Sequence, residues 1–288
     1  MQNRDGGFGA FDVDNNALFL NKIPFSDMDA LCDPSWACVT GRVLEAFGML
    51  LHSPHKGEIR DNLITRIKLA SIRAIEFLAS TDQREREKGA WYGRWGANYI
   101  YGTSNVLCGL QYFIECPLGC ADGGSGFSED YEFLCHNENC AEYLDWPTGL
   151  ARSLTRPAIT FLRSCQNTDG GWGESLSTYR DPSLAGKGRS TPSQTAWALI
   201  GLLAYLSPDD EAIVKGVEWL VREQVDTEDG GKGGRSWKED FYSGVGFPNF
   251  YFLGYGYYSH YFPMMALGRW FRGMEREGES AQEGRGGD

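Results

Sequence analysis

RPAITFLRSCQNTDGGWG, Arg156 to Gly173, opens as a helix and closes on a glycine turn. Its first half places Ala158, Phe161 and Leu162 at helical spacing. Asp169-Gly170-Gly171 then stops the helix, because glycine accepts the positive φ of a tight C-terminal turn. Gln166 and Trp172 bracket that turn. A glutamine amide can hydrogen-bond orphan backbone groups at a neighbouring helix end, and an indole can stack on the amide. The unit therefore reads as a structural clasp between helices.

The same order recurs along the chain. KGVEWLVREQVDTEDGG carries Trp219, Leu220, Gln224 and Gly230, and RAIEFLASTDQREREKGAW carries Phe77, Leu78, Gln83, Gly89 and Trp91. The opening MQNRDGGFG supplies Gln2, Gly6 and Phe8, the second half of one more copy. Between the clasps lie further helical patterns at Val39–Leu51, Leu63–Ser80, Ser193–Leu206 and Glu211–Gln224, with Ser190 or Ser193 as the expected cap of the third. Strand alternation is nearly absent. Paired helices joined by Gly/Pro turns and repeated in this way predict an all-α fold, an α/α toroid or solenoid. Glu115–Trp146 breaks the rhythm as a loop-rich insertion, and Gly273–Asp288 reads as a disordered Gly- and Glu-rich tail.

Composition narrows the function. Aromatics number 39 (Trp 9, Tyr 14, Phe 16) and glycines 37 among 288 residues, so the chain is neither disordered nor collagen-like. Lys+Arg 27 against Asp+Glu 39 leaves −12, which argues against a nucleic-acid partner. No apolar run approaches the ~18 residues of a membrane span. MQNRDGG resembles neither a signal nor a transit peptide, so an intracellular chain with reduced thiols is expected. Cys116, Cys120, Cys135, His136 and Cys140 could together hold zinc, but the spacing is not that of a standard finger, and loop thiols with no metal are expected.

The clasps resemble the QW repeats of class II triterpene cyclases, with Gln2, Phe8, Gln83, Trp91, Gln166, Trp172 and Gln224 at the clasp positions. GGFGAFDVDNN, KIPFSD, CDPSWACVT, WYGRWGANYIYGT, GKGRSTPSQTAWAL and GFPNFYFLGYGYYSHYFPMMALGRW sharpen the likeness to the squalene–hopene branch. It covers residues 1 to about 272 apart from the insertion. The resemblance implies an incomplete α/α toroid of the terpenoid cyclase/prenyltransferase type, and an isomerase that protonates squalene and guides a carbocation cascade. The family's acid is an Asp-x-Asp-Asp motif. None occurs here, so Met1 is read as an internal residue of a longer cyclase and this chain as its C-terminal half, inactive alone. Asp12-Val13-Asp14-Asn15 matches a non-acid segment of the family and reads as a turn or surface pair.

By position in the family, Phe11, Phe25, Trp95, Phe247, Tyr251, Tyr255 and Tyr258 line the cavity. Ring faces suit that task, since they attract a cation without bonding to it. Cys38, Arg42 and Tyr101 take positions that tune the acid. A guanidinium at Arg42 would favour the ionised acid unless it pairs with a carboxylate of the missing motif and leaves the proton donor free. The resemblance further implies no cofactor, squalene or a related polyprenoid as substrate, and a membrane or lipid-droplet surface for the complete protein. It leaves a homodimer open. Two rival readings stand beside it: a non-catalytic remnant serving as an interaction surface, and a protein prenyltransferase β-subunit. The latter would need zinc ligands that His260 has no recognisable companions to supply.

Overall fold

The computed structural model describes residues 1–81, 89–114, 148–226 and 234–283. Gln83, Gly230 and the insertion with its cysteines and His136 lie outside the described residues. The helices are α1 (Ala37–Leu51), α2 (Asp61–Ser80), α3 (Tyr99–Leu110), α4 (Thr148–Ser164), α5 (Pro192–Leu202), α6 (Glu211–Arg222) and α7 (Tyr258–Glu283). Two small antiparallel hairpins accompany them: β1 (Val225–Asp226) with β2 (Arg235–Ser236), and β3 (Gly244–Phe247) with β4 (Tyr251–Leu253). The chain forms two units, Met1–Arg94 with Asn105–Phe161, and Trp95–Ser104 with Leu162–Asp288. Helices α3 and α4 contribute to both.

In the first unit α1 packs on α2. Leu44, Ile75, Leu78, Leu107, Leu110 and Phe113 are fully buried there. In the second unit α5 packs on both α6 and α7. All its residues are buried, so this helix carries no solvent face and its sequence PSQTAWALIGL shows no polar stripe. Its N-cap is Thr191, whose hydroxyl accepts from the Gln194 N–H, and not Ser190 or Ser193. Pro192 holds the first helical position, which leaves the residue before it to cap. The expected caps serve elsewhere: Ser190 donates to Asp169, and Ser193 bonds Glu239 through both its backbone N–H and its hydroxyl.

The first and third clasps are near copies, one in each unit. Gln2 donates to the Gly6 and Ala70 carbonyls at 2.7 and 2.8 Å, and Gln166 to those of Gly170 and Ala212 at 2.9 Å each. Gly6 and Gly170 hold φ of +91° and +95°. A Cβ on either would lie 2.3 or 2.7 Å from a helix carbonyl oxygen, of Arg73 or Lys215. The acceptors Ala70 and Ala212 sit inside helices. Gln therefore uses the spare lone pair of a helical carbonyl, where an orphan group at a helix end was expected. The tryptophans serve the helix ends. Trp91, Trp172 and Trp237 donate their indole N–H to Leu78, Leu162 and Leu220 at 3.4, 2.7 and 2.7 Å. Each acceptor lies two residues before the end of α2, α4 or α6, where carbonyls lack intrahelical partners.

Gly273 does not end the fold. Helix α7 continues to Glu283, with Trp270 donating to the Pro208 carbonyl and Gly273 lying against the Pro208 ring. The expected disordered tail is thus helical over its first eleven residues, 273 to 283.

Candidate functional site

The aromatic string near the C-terminus forms a hairpin followed by a helix. Gly244 pairs with Leu253, Val245 with Phe252 and Phe247 with Tyr251, with a bulge at Gly246. Residues 95–97 extend this hairpin: Val245 N–H donates to the Trp95 carbonyl at 3.1 Å, Ala97 N–H to Ser243 at 2.9 Å, and Gly96 bridges Gly244. Three glycines seat three tyrosine rings. A Cβ on Gly96 would come within 2.6 Å of the Tyr101 ring, on Gly244 within 2.3 Å of Tyr255, and on Gly246 within 2.6 Å of Tyr251.

From these seats the rings form a connected surface. Tyr255 and Tyr258 lie 4.6 Å apart between centroids, and Tyr258 meets Trp197 edge-on at 6.0 Å. Trp197 in turn meets Tyr101 at 4.9 Å and Phe262 at 5.3 Å, again edge-on. Trp197 is 1% exposed and forms the floor of the cluster, whereas Tyr251 and Tyr255 are 49% and 42% exposed. Trp95, Tyr101, Phe247 and Tyr258 are half-buried. The expected residues of this unit therefore fall on one hairpin and the helix starts beside it.

Residues that sequence reasoning did not single out hold this arrangement. Glu174 accepts from the Asn98 and Ile100 N–H groups at 3.2 and 2.9 Å. Tyr179 donates to the Gly96 carbonyl at 2.9 Å, Asn98 donates to the Thr178 hydroxyl, and the Gln194 amide reaches the Ala97 and Glu174 carbonyls. Burial pushes the Glu174 carboxyl up to about 7, against the pull of backbone N–H groups that favour its charged form. A glutamate two residues beyond a clasp tryptophan was the available signal. Trp237 was missed too, because its turn is longer than those before Trp91 and Trp172.

Phe11, Phe25, Cys38 and Arg42 lie in the first unit. Phe11 is 55% and Phe25 90% exposed. Cys38 is buried, and its Sγ accepts from the Arg94 N–H at 3.3 Å. Beside it sits a buried ion pair, Arg94 Nε to Asp33 Oδ1 at 3.3 Å, in which Asp33 also accepts from the Trp36 indole and the Ala10 N–H. Trp36 stacks on Tyr92 at 5.5 Å. The backbone just before Trp95 is thereby anchored. Arg42 pairs with Glu45 one helical turn on, at 2.8 Å. Asp14 sits in a turn at φ +54° and pairs with the exposed Arg4. Among the described residues no group of His, Cys, Asp or Glu could hold a metal ion, and no helix is long and apolar enough to cross a membrane.

The chain matches the squalene-hopene cyclase C-terminal domain over residues 1–117 and 145–272, and belongs to that family. It is 44% identical to a terpene cyclase-glycosyl transferase fusion protein of Humicola fuscoatra, over 98% of this chain and 18% of that protein. It is 42% identical to a squalene hopane cyclase of Aspergillus fumigatus, over 83% of this chain and 31% of that one. The squalene–hopene cyclase of Alicyclobacillus acidocaldarius is 38% identical, over 96% of this chain and 35% of its own length. The chain thus spans about a third or less of these relatives.

Proposed function

We propose that this chain is the C-terminal part of a triterpene cyclase that converts squalene to hopene-type products by protonation and a carbocation cascade. The connected rings of Tyr255, Tyr258, Trp197 and Tyr101 carry the reading. The Tyr255, Tyr258 and Tyr101 rings, backed by the buried Trp197, offer π faces to a moving cation and no strong nucleophile to trap it. Trp95, Phe247 and Tyr251, on the hairpin or the strand beside it, extend that surface. The complete domain is an α/α toroid, and the proton donor is an Asp-x-Asp-Asp aspartate on a part of the protein outside this chain.

Cys38, Arg42 and Tyr101 set the strength of that acid. The Glu45 carboxylate, 2.8 Å from Arg42, offsets its charge, which supports a neutral acid nearby. Exposed Phe19 and Phe25, 71% and 90%, suit contact of the complete protein with a membrane surface.

The test compares residues 1–288 with the longer protein carrying the acid motif, each given squalene and its epoxide, with products read by gas chromatography. Cyclised product is expected from the longer protein alone, from squalene, and lost on Tyr255→Ala or Trp95→Ala. Product from 1–288 by itself would place the acid within this chain. None from either would end the cyclase reading in favour of an interaction surface.

A further inference from the structure

Trp172 and Glu174 sit two residues apart on a segment without regular secondary structure, and both side chains are buried. Trp172 is wholly buried and Glu174 is 6% exposed. The indole caps the C-terminal end of α4 through Leu162. The carboxylate caps the N-terminal end of α3, where Asn98 and Ile100 present amides with no intrahelical acceptor. One short segment thus closes two helix ends, and α3 is held at its start by a residue distant in sequence. The Asn98 side-chain amide donates to the Thr178 hydroxyl, a second tie between this helix start and the 174–178 segment.

The position of that start matters to the rings. Trp95 lies three residues before Asn98, and Tyr101 one after Ile100. Between them Gly96 and Ala97 run along β3, and Gly96 seats the Tyr101 ring. We infer that Glu174 is a positioning residue: by accepting the Asn98 and Ile100 amides it fixes the 95–101 segment, and so sets where Trp95 and Tyr101 stand relative to Tyr255 and Trp197. Its bonds to that segment run to backbone amides. Its influence on the proposed reaction would pass through the backbone of that segment, and in this respect the inference rests on the cyclase reading.

Amide exchange and indole resonances of the 1–288 chain test it. Glu174→Ala should raise exchange at Asn98 and Ile100 about tenfold, the scale of a lost helix cap, and move the Trp95 indole signal. The Trp237 indole, bonded to Leu220, should stay in place. Glu174→Gln keeps an acceptor oxygen and should restore both readings to within about twofold of the parent. If Glu174→Ala does not fold, Glu174→Asp, with its carboxylate drawn back by one methylene, should show the raised exchange instead.

Exchange and Trp95 signals unchanged in the folded variant would overturn the inference, as would a failure of Glu174→Gln to restore them. The longer protein separates the two ideas. A parent that cyclises squalene, with the same product ratio after Glu174→Ala, sinks the positioning role alone. A parent that makes no cyclised product sinks the cyclase reading and leaves the exchange result to stand.

Discussion

Glu174 shows what burial does to a single carboxyl. Its folded value near 7 lies above the ordinary 4.5, so between those limits the folded chain keeps a proton that the unfolded chain has lost. Stability from this group is therefore fully present below about pH 4.5 and is lost as pH rises towards 7. A shift from 4.5 to about 7 corresponds to a stabilisation on the order of 3 kcal/mol. Glu174→Gln removes the titration but keeps the cap. In urea melts at pH 5 and pH 8, the parent should gain on this variant at the lower pH, and a constant difference would contradict the assignment. Arg42 teaches a second lesson. Read alone it is a cation placed to disturb an acid, but Glu45 one turn further on changes its electrostatic meaning. Both residues were visible in VTGRVLEAF, and helical periodicity put them on one face.

Helix ends and ring seats dominate at the scale of elements. Trp172→Phe removes the indole donor of the Leu162 carbonyl, which keeps the Cys165 N–H at 3.2 Å, and costs about 0.5–1.5 kcal/mol. Thermal unfolding should register this, and a Tm within a degree of the parent would mean that another donor had moved in. Glycines divide by what lies beside them. Gly244→Ala would drive a Cβ into the Tyr255 ring and should destabilise the hairpin and disturb near-ultraviolet dichroism. Gly268→Ala, inside α7 with nothing within 4 Å, should stabilise by about 0.5–1 kcal/mol through helix propensity. The pair should thus move stability in opposite directions, and a shared sign would refute the close-packing account of Gly244.

At the scale of the whole molecule, a net charge of −12 stands beside exposed apolar groups. Leu18, Phe19, Phe25 and Leu31 are each at least about half exposed within fourteen residues of chain, 18 to 31. An acidic protein is repelled by anionic lipid, so attachment through these groups should be strongest on neutral bilayers and insensitive to salt. Co-sedimentation of 1–288 with phosphatidylcholine vesicles should fall several-fold on Phe19→Ser with Phe25→Ser. Binding that needs anionic lipid, or that survives the double change, would assign the exposed rings another purpose.

Helical rhythm is a local pattern, enough to read a mainly helical chain, and the likeness of the clasps and aromatic strings to the squalene-hopene cyclases was enough to reach the family. Trp237 as the indole cap of α6, Glu174 at the start of α3 and Thr191 as the cap of α5 depended on partners brought together in space. A hydrogen bond joining residues 74 or 76 positions apart, as from Ile100 or Asn98 to Glu174, has no periodicity to betray it. Only the packed chain, where an unsatisfied buried amide would be costly, selects the acceptor.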